Sequence, residues 1–253
     1  MDLGIRDKVA IVTGSSSGLG AAIADRLAAE GCRIVLFART ADKLERIATE
    51  LREKHLVEVL PVAGDMTQEQ DVQRLVDRTL AVFGVPAILV LNSGRPPLKM
   101  GNVLDERDDS RWRQAHETQL WGPLQVVRRV VPLMQAQRWG RVVAITSASV
   151  KQPMPHHALS TVYRAGATGL MRHLANEVAA DGVTVNCVCP ASIGTEALIG
   201  SYDPQERIKR VPLGRLGRPD EFSAAVAFFA SEPSGFITGA SLQVDGGMVA
   251  ALC

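Results

Sequence analysis

Residues Thr13-Gly14-Ser15-Ser16-Ser17-Gly18-Leu19-Gly20 decide the fold of this chain. An apolar run at 9–12 precedes them, and residues 21–30 repeat apolar residues at helical spacing, so the stretch reads as a turn from a strand into a helix. Gly14 permits a backbone conformation closed to other residues, Gly18 admits a ligand close to the backbone, and Gly20 lets the helix lie close to its strand. Because amides at a helix N-terminus attract anions, the turn predicts a pyrophosphate site.

The rest of the chain alternates apolar runs of strand length with longer segments of helical periodicity. Strands are predicted at 33–38, 57–62, 86–91, 140–147 and 183–190, and helices at 41–54, 68–83, 111–137 and 160–180. This alternation predicts an α/β protein with a parallel sheet covered by helices on both faces. No repeat or linker divides the 253 residues, so we expect one domain over 1–253.

Composition narrows the class of partner. A formal charge of +1 argues against nucleic acid or a membrane surface as partner and favours a small-molecule substrate. The N-terminus lacks the apolar core of a signal peptide, and no run reaches membrane-spanning length, which predicts a cytoplasmic protein. The four cysteines lack the spacing of a zinc site or a redox pair, so we predict no metal and expect small core residues at Cys32, Cys187, Cys189 and Cys253.

Arg39, at the end of the second predicted strand, indicates the cofactor. An acidic residue at this place binds the ribose hydroxyls of NAD, whereas a basic one accommodates the 2′-phosphate of NADP. A guanidinium also stacks on adenine and forks onto phosphate, so we predict NADP, with NAD less favoured. A solvated arginine at the strand end is the alternative, because the serines of the glycine turn offer only hydroxyls.

The spacing Gly-xxx-Gly-x-Gly resembles the TGxxxGxG turn of the short-chain dehydrogenase/reductase family. Residues 212–221 and 237–247 resemble bacterial 3-oxoacyl-acyl-carrier-protein reductases of the same family, so the resemblance covers nearly the whole chain. It implies a single-domain Rossmann-type doubly wound sheet and a nicotinamide-dependent oxidoreductase with a substrate lid at about 193–212. It also implies a homo-oligomer, a dimer or homotetramer, with the helices at 111–137 and 160–180 as interface. An amphipathic helix facing its own core is the alternative.

The resemblance also implies which residues hold the cofactor. Asp65 would accept from the adenine amino group, although capping of the next helix is an equally good interpretation. Met66 would lie near the adenine ring, and Asn92 and Gly94 near the ribose. The nicotinamide and phosphates would meet Pro190, Ile193 and Thr195. The glycine turn would contribute Gly14, Ser15, Ser17, Gly18, Leu19 and Gly20.

The catalytic pattern of that family is altered in this sequence. Ser147 matches the family's serine, but Ser160 stands where the tyrosine belongs and Arg164 where the lysine belongs. Gln119 takes the place of the asparagine. A serine hydroxyl is far less acidic than tyrosine, and arginine keeps its proton, so Ser160 and Arg164 are expected to hydrogen-bond rather than relay protons. Arg164 would bind the nicotinamide ribose or polarise a substrate oxygen.

Another residue near Ser160 is therefore expected to replace the family's tyrosine as proton donor. Tyr163 is displaced by three residues from the tyrosine position, and His156 and His157 lie in the loop that should border the site. Histidine titrates near neutrality and is the usual acid or base, although an exposed loop residue is the plain interpretation of each. Three functions stay open: a carbonyl reductase or alcohol dehydrogenase with an altered relay, a non-redox lyase, dehydratase or cyclase, and an inactive cofactor-binding subunit.

Overall fold

A computed structural model describes residues 1–94, 97, 99–196 and 203–251. Parts of the loop at 95–101 and of the predicted lid at 193–212, as well as Cys253, lie outside the described residues. No helix in the described part of the chain is both long enough and apolar enough to cross a bilayer.

Seven parallel strands form one sheet. The strands are β1 Val9–Thr13, β2 Arg33–Ala38, β3 Val59–Ala63, β4 Ile88–Leu91, β5 Gly140–Ile145, β6 Val183–Pro190 and β7 Ser241–Val244. Their order across the sheet is β3-β2-β1-β4-β5-β6-β7. The first six are mostly buried and largely apolar, as expected where helices cover both faces of a parallel sheet, whereas β7 at the edge is partly exposed and half polar.

The helices up to Val178 follow the predicted alternation, and two further helices after β6 were not predicted. They are α1 Gly18–Ala29, α2 Ala41–His55, α3 Glu69–Phe83, α4 Asp109–His116, α5 Gly122–Ala136, α6 Ala158–Val178, α7 Pro204–Ile208 and α8 Pro219–Phe229. The helix predicted at 111–137 is interrupted by a π-helical turn, Glu117–Trp121. That turn separates α4 from α5 and changes which residues face the sheet.

Alternate residues of each strand pack into two separate cores. Ala10, Val12 and their equivalents pack against α1, α2 and α8, whereas Val9 and Ile11 pack on the other face against α3, α5 and α6. This period of two follows from the pleat, which points successive side chains to opposite faces. The doubly wound α/β fold expected from the sequence is therefore confirmed.

The order of strands reverses beside β1. The chain passes from β1 through β2 to β3 and then returns to place β4 on the other side of β1. In such sheets the connections after the two central strands diverge and leave a crevice at their carboxyl ends, where ligands bind. Gly14 and Asn92 follow β1 and β4, at the mouth of that crevice.

Candidate active site

One cavity of about 540 Å³ lies at the carboxyl ends of the central strands. It runs from the glycine turn after β1 to the end of β5 and the first turns of α6. Thirteen of the fifteen residues predicted to bind the cofactor line it: Gly14, Ser17, Gly18, Leu19, Arg39, Asp65, Met66, Asn92, Gly94, Arg164, Pro190, Ile193 and Thr195. Ser147 and Ser160 line the same cavity.

The glycine turn is held against the end of β4. Gly14 has a φ of 60°, and a Cβ there would lie 2.3 Å from the carbonyl oxygen of Asn92. The side-chain amide of Asn92 donates to the Gly14 carbonyl at 3.1 Å, and the Asn92 backbone amide donates to Thr13 Oγ1 at 3.0 Å. Only glycine tolerates both this conformation and this contact, so Asn92 fixes the shape of the cradle.

Two residues predicted to bind the cofactor do not line the cavity. Ser15 is fully buried, and its hydroxyl accepts from the Phe37 amide at 3.0 Å, which ties the turn to β2. Gly20 lies inside the turn, where a Cβ would come within 2.2 Å of the Gly14 carbonyl oxygen. Both residues shape the turn rather than face a ligand, and Ser16 lines the cavity instead.

One end of the cavity, where the adenosine of a cofactor is expected, is bounded by the residues that follow β2 and β3. Arg39 is exposed beside Thr40, which is the N-cap of α2 and makes no side-chain capping bond. Asp65 accepts from the Thr67 amide at 2.9 Å. Since Gln68 is the N-cap of α3, Asp65 forms the turn before that helix and does not cap it.

Arg164 is buried, at 7% exposure, and joins three elements at the end of the cavity that contains Ser147 and Ser160. Its Nε donates to Gln119 Oε1 at 3.1 Å, one terminal nitrogen donates to the Ile145 carbonyl, and the other reaches the Gly94 carbonyl at 3.4 Å. Burial lowers the pKa of Arg164 to about 10, so it stays a cation at neutral pH. No carboxylate within the described residues bonds to it, and it brings an uncompensated positive charge to the cavity wall.

Gln119 accepts a hydrogen bond from the Arg164 guanidinium but does not itself line the cavity. It is fully buried in the π-helical turn, which rotates its side chain toward α6. Its Nε2 has no hydrogen-bond partner in the described part of the chain. The sequence grouped Gln119 with the catalytic residues, whereas its geometry is that of a positioning residue for Arg164.

The Ser147 hydroxyl is oriented by its neighbour Ser149. Ser147 Oγ accepts from the Ser149 amide at 3.2 Å and shares a hydrogen bond with Ser149 Oγ at 2.9 Å. When Ser149 donates in that second bond, both lone pairs of Ser147 Oγ are engaged, and its own proton is left to donate into the cavity. Ser160, on the facing turn of α6, offers a second hydroxyl.

Comparison with known proteins places this geometry in a family. A family model described as enoyl-(acyl carrier protein) reductase matches residues 14–249. A 3-oxoacyl-(acyl-carrier-protein) reductase of Haemophilus influenzae is 33% identical over 96% of this chain and 99% of its own. The chain belongs to the short-chain dehydrogenase/reductase family.

Solved structures agree with this assignment. L-Sorbose reductase of Gluconobacter frateurii, in complex with NADPH and L-sorbose, matches over 100% of both chains with a TM-score of 0.93 and 33% identity. A variant of actinorhodin polyketide ketoreductase with NADPH matches over 96% of this chain and 97% of its own, with a TM-score of 0.89 and 32% identity.

In this short-chain dehydrogenase/reductase, Tyr163 is turned away from the cavity. Its ring packs edge-on against Trp112 and His116, with centroids 6.0 Å and 5.8 Å away, in a small cluster that also contains Leu159. Burial raises the pKa of Tyr163. Its position and the direction of its pKa shift both oppose the role of proton donor at Ser147.

His157 also lies outside the main cavity. It is the N-cap of α6 and lines a second, smaller cavity. Burial, together with the charges of Arg207 and Arg210, lowers the pKa of His157 to about 4. With so low a pKa the imidazole is neutral at pH 7, and its remaining N–H is far too weakly acidic to protonate a substrate, so the structure argues against its proposed role as general acid.

The sequence analysis did not identify several residues of the cavity wall. It also did not identify the contact between Ser149 and Ser147 behind that wall. Gln114 and Thr118 are four apart on α4 and the π turn, a helical spacing that could have drawn attention to them. Thr146 directly follows β5, and Thr40 is the second residue after β2, so position at a strand end was another available signal. The other polar residues missed are Ser16 and Ser93. No cluster of three or more histidine, cysteine, aspartate or glutamate side chains suited to a metal occurs among the described residues.

Proposed function

We propose that this protein is an NADP-dependent oxidoreductase that reduces a carbonyl, or oxidises a secondary alcohol, without the tyrosine and lysine expected for its family. The observation that carries the proposal is the continuous cavity. It joins the glycine cradle to the hydroxyls of Ser147 and Ser160 and to the charge of Arg164. A cofactor extended along it would bring its nicotinamide to the hydroxyls.

The residues present fit such a cofactor. The cradle at Gly14 has no room for a Cβ, and Gly18 has a φ of 56° at the start of α1, where helix amides favour phosphate. Arg39 and Thr40, whose hydroxyl makes no capping bond to the helix, lie together at the N-terminus of the 15-residue helix α2. These groups suit a 2′-phosphate, and no carboxylate at the end of β2 competes for a ribose. Relatives of known structure that contain NADPH support the same choice.

When bound, the nicotinamide cofactor would supply or accept the hydride. The protein's own task is to stabilise the negative charge that develops on the carbonyl oxygen. Ser147 donates its free hydroxyl proton to that oxygen, and Ser160 offers a second donor from α6. Arg164, buried four residues from Ser160 on the same face of the helix, lowers the energy of the developing anion by its charge.

The proton that the substrate oxygen accepts then comes from neither Tyr163 nor His157. The described residues that line the cavity include no histidine, cysteine, lysine or tyrosine, so its wall offers no group of the kinds that deliver a proton near neutrality. We therefore assign the final proton to water, delivered through the hydroxyls. This predicts a rate of carbonyl reduction with little dependence on pH between about 6 and 9.

Nicotinamide absorbance across a panel of ketones tests the proposal. The wild type should oxidise NADPH with at least one ketone, and Ser147→Ala should lower kcat/KM by about 10²–10³-fold. The double variant Ser160→Tyr with Arg164→Lys is the diagnostic comparison. If it gains a reductase activity that the wild type lacks, the proposal is wrong for the natural protein. Turnover without a change in absorbance would instead indicate a non-redox enzyme, and tight NADPH binding without turnover an inactive subunit.

We further propose a single folding domain, a lid at about 193–212 and a homo-oligomer, a homotetramer by analogy with the family, acting in the cytoplasm. Trp121 and Val162 support the oligomer, since they are 39% and 46% exposed on the π turn and on α6. Light scattering of the wild type and of Trp121→Lys with Val162→Lys tests this. A monomeric wild type would contradict it.

A further inference from the structure

A single cation lies in the wall at the end of the main cavity that contains Ser147 and Ser160. This cation is Arg164, which burial leaves 7% exposed and whose pKa of about 10 keeps it charged at neutral pH. Each of its three nitrogens donates to a neutral oxygen: the side-chain Oε1 of Gln119 or the carbonyls of Ile145 and Gly94. These bonds fix the guanidinium in place without neutralising it.

No carboxylate offsets this charge in the described cavity wall. The acidic residue that lines the cavity is Asp65, two residues after β3, where the adenosine of a cofactor is expected. Its side chain accepts from the Thr67 amide at 2.9 Å. Positions 95, 96, 98, 197–202, 252 and 253, which lie outside the described residues, include no aspartate or glutamate in the sequence. The positive charge of Arg164 therefore acts on whatever occupies its end of the cavity.

The groups described around Arg164 do not ionise near neutrality to supply a negative charge. Ser147 and Ser160 carry hydroxyls that are far less acidic than a phenol. Cys189 lies behind the wall, with Sγ 3.1 Å from Thr146 Oγ1, and burial raises the pKa of its thiol, which stays protonated. Tyr163 packs in the separate cluster with Trp112, and burial raises its pKa as well. This end of the cavity therefore remains positive throughout the neutral range.

The two redox states of a nicotinamide cofactor differ in charge at the ring. The oxidised ring is a cation, whereas the reduced ring is neutral, and the adenosine, phosphates and riboses are the same in both states. A fixed cation repels the oxidised ring and has little effect on the reduced one. With an effective dielectric constant of about 20, the repulsion between charges within about 10 Å corresponds to at least a tenfold difference in affinity.

We propose that Arg164 makes this site selective for the reduced cofactor, so that NADPH binds at least about tenfold more tightly than NADP⁺. The inference rests on the proposed function, since it assigns a working direction to the same reaction. In carbonyl reduction a hydride passes from NADPH to the carbonyl carbon, and the oxygen takes a proton from water. Arg164 first stabilises the oxygen anion. Once that anion is a neutral alcohol, the oxidised ring is repelled and NADP⁺ leaves readily.

Cofactor titrations test the inference without turnover. Calorimetry gives the Kd of NADPH, of NADP⁺ and of 2′,5′-ADP, which lacks the nicotinamide and its ribose. Arg164→Lys keeps the charge and should keep the ratio of the NADP⁺ and NADPH constants. Arg164→Met removes the charge and should bring that ratio close to one, since the affinity for NADP⁺ rises relative to that for NADPH. The Kd of 2′,5′-ADP should be the same in all three proteins.

A second variant retains the arginine and its fold. Arg164→Met also removes three hydrogen bonds, whereas Gln119→Glu keeps an acceptor for Nε and places a carboxylate beside the guanidinium. The ratio of the two constants should then fall by about threefold or more. Arg39→Gln is the matched control, an arginine of the same cavity at its other end. Because both redox states carry the 2′-phosphate, both constants should rise and their ratio should stay unchanged.

The outcomes separate this inference from the reductase function. Equal Kd values for NADPH and NADP⁺ in the wild type would overturn the inference, even if ketones are reduced. A ratio that is unchanged in both Arg164→Met and Gln119→Glu would overturn it too, because the selectivity would not come from this charge. A wild type that prefers NADPH and loses the preference in these variants, but reduces no ketone, would support the inference and contradict the reductase function.

Discussion

The guanidinium of Arg164 and the side-chain amide of Gln119 form a buried pair in which Nε donates to Oε1 at 3.1 Å. The pair links α6 to the π-helical turn and holds a cation at the cavity wall without a carboxylate. A neutral acceptor orients the guanidinium while leaving its charge available to the cavity.

Two substitutions of Gln119 should distinguish the effect of the orientation of the Arg164 guanidinium from the effect of its charge. Gln119→Leu leaves a buried N–H of Arg164 without an acceptor, so the free energy of unfolding should fall by about 1–3 kcal/mol. Gln119→Glu keeps the acceptor but adds a carboxylate that neutralises the guanidinium field, so kcat should fall while the protein stays folded. Urea denaturation and NADPH oxidation measure the two effects. Wild-type kcat in Gln119→Glu would mean that the charge of Arg164 plays no part.

Ser149 should affect catalysis only by orienting the hydroxyl of Ser147. Ser149→Ala removes the hydroxyl that lies 2.9 Å from Ser147 Oγ, and loss of about 1 kcal/mol of orientation corresponds to roughly a fivefold lower kcat. KM and the melting temperature should change little. Ser149→Thr keeps the hydroxyl and should restore kcat. An equal loss of kcat in both variants would point to a packing effect instead.

Arg39 should discriminate between the two nicotinamide cofactors. Arg39→Gln removes the cation beside Thr40, so the Kd for NADPH should rise about 10–100-fold while the Kd for NADH hardly changes. Arg46→Gln, at an exposed residue of the adjacent helix α2, is the control. Titration of the protein with each cofactor by calorimetry measures these constants. An equal change for NADH would remove the assignment of Arg39 to a 2′-phosphate.

His157 should affect stability in acid. Its pKa is lowered to about 4 in the folded protein and is about 6.5 when unfolded, so between these values the unfolded chain binds more protons. Stability contributed by the neutral imidazole is therefore present above about pH 6.5 and is lost as the pH falls toward 4. His157→Gln should lose less stability than the wild type between pH 7 and pH 5 in urea denaturation. Equal losses would show that His157 titrates normally.

Much of the architecture could be predicted from the sequence, because it depends on patterns among neighbouring residues. The bounds of β2 and β6 agree with the predicted ranges, and α1 begins within the glycine turn. Apolar runs and helical periodicity record which face of each element is buried, and that information is carried by neighbouring residues. The interruption at Glu117–Trp121 was not predicted, because a π turn within an otherwise helical pattern leaves the composition unchanged.

The sequence by itself determined the α/β class, the glycine cradle and the absence of a tyrosine and lysine from their expected places, because these follow from residue identity and spacing along one chain. Only the tertiary structure decided that Tyr163 and His157 lie outside the main cavity and that Gln119 supports Arg164. It also showed that the Ser15 hydroxyl is used by β2. The direction of a side chain and the partners of a buried polar group depend on how separate elements pack, and spacing within one element does not encode that.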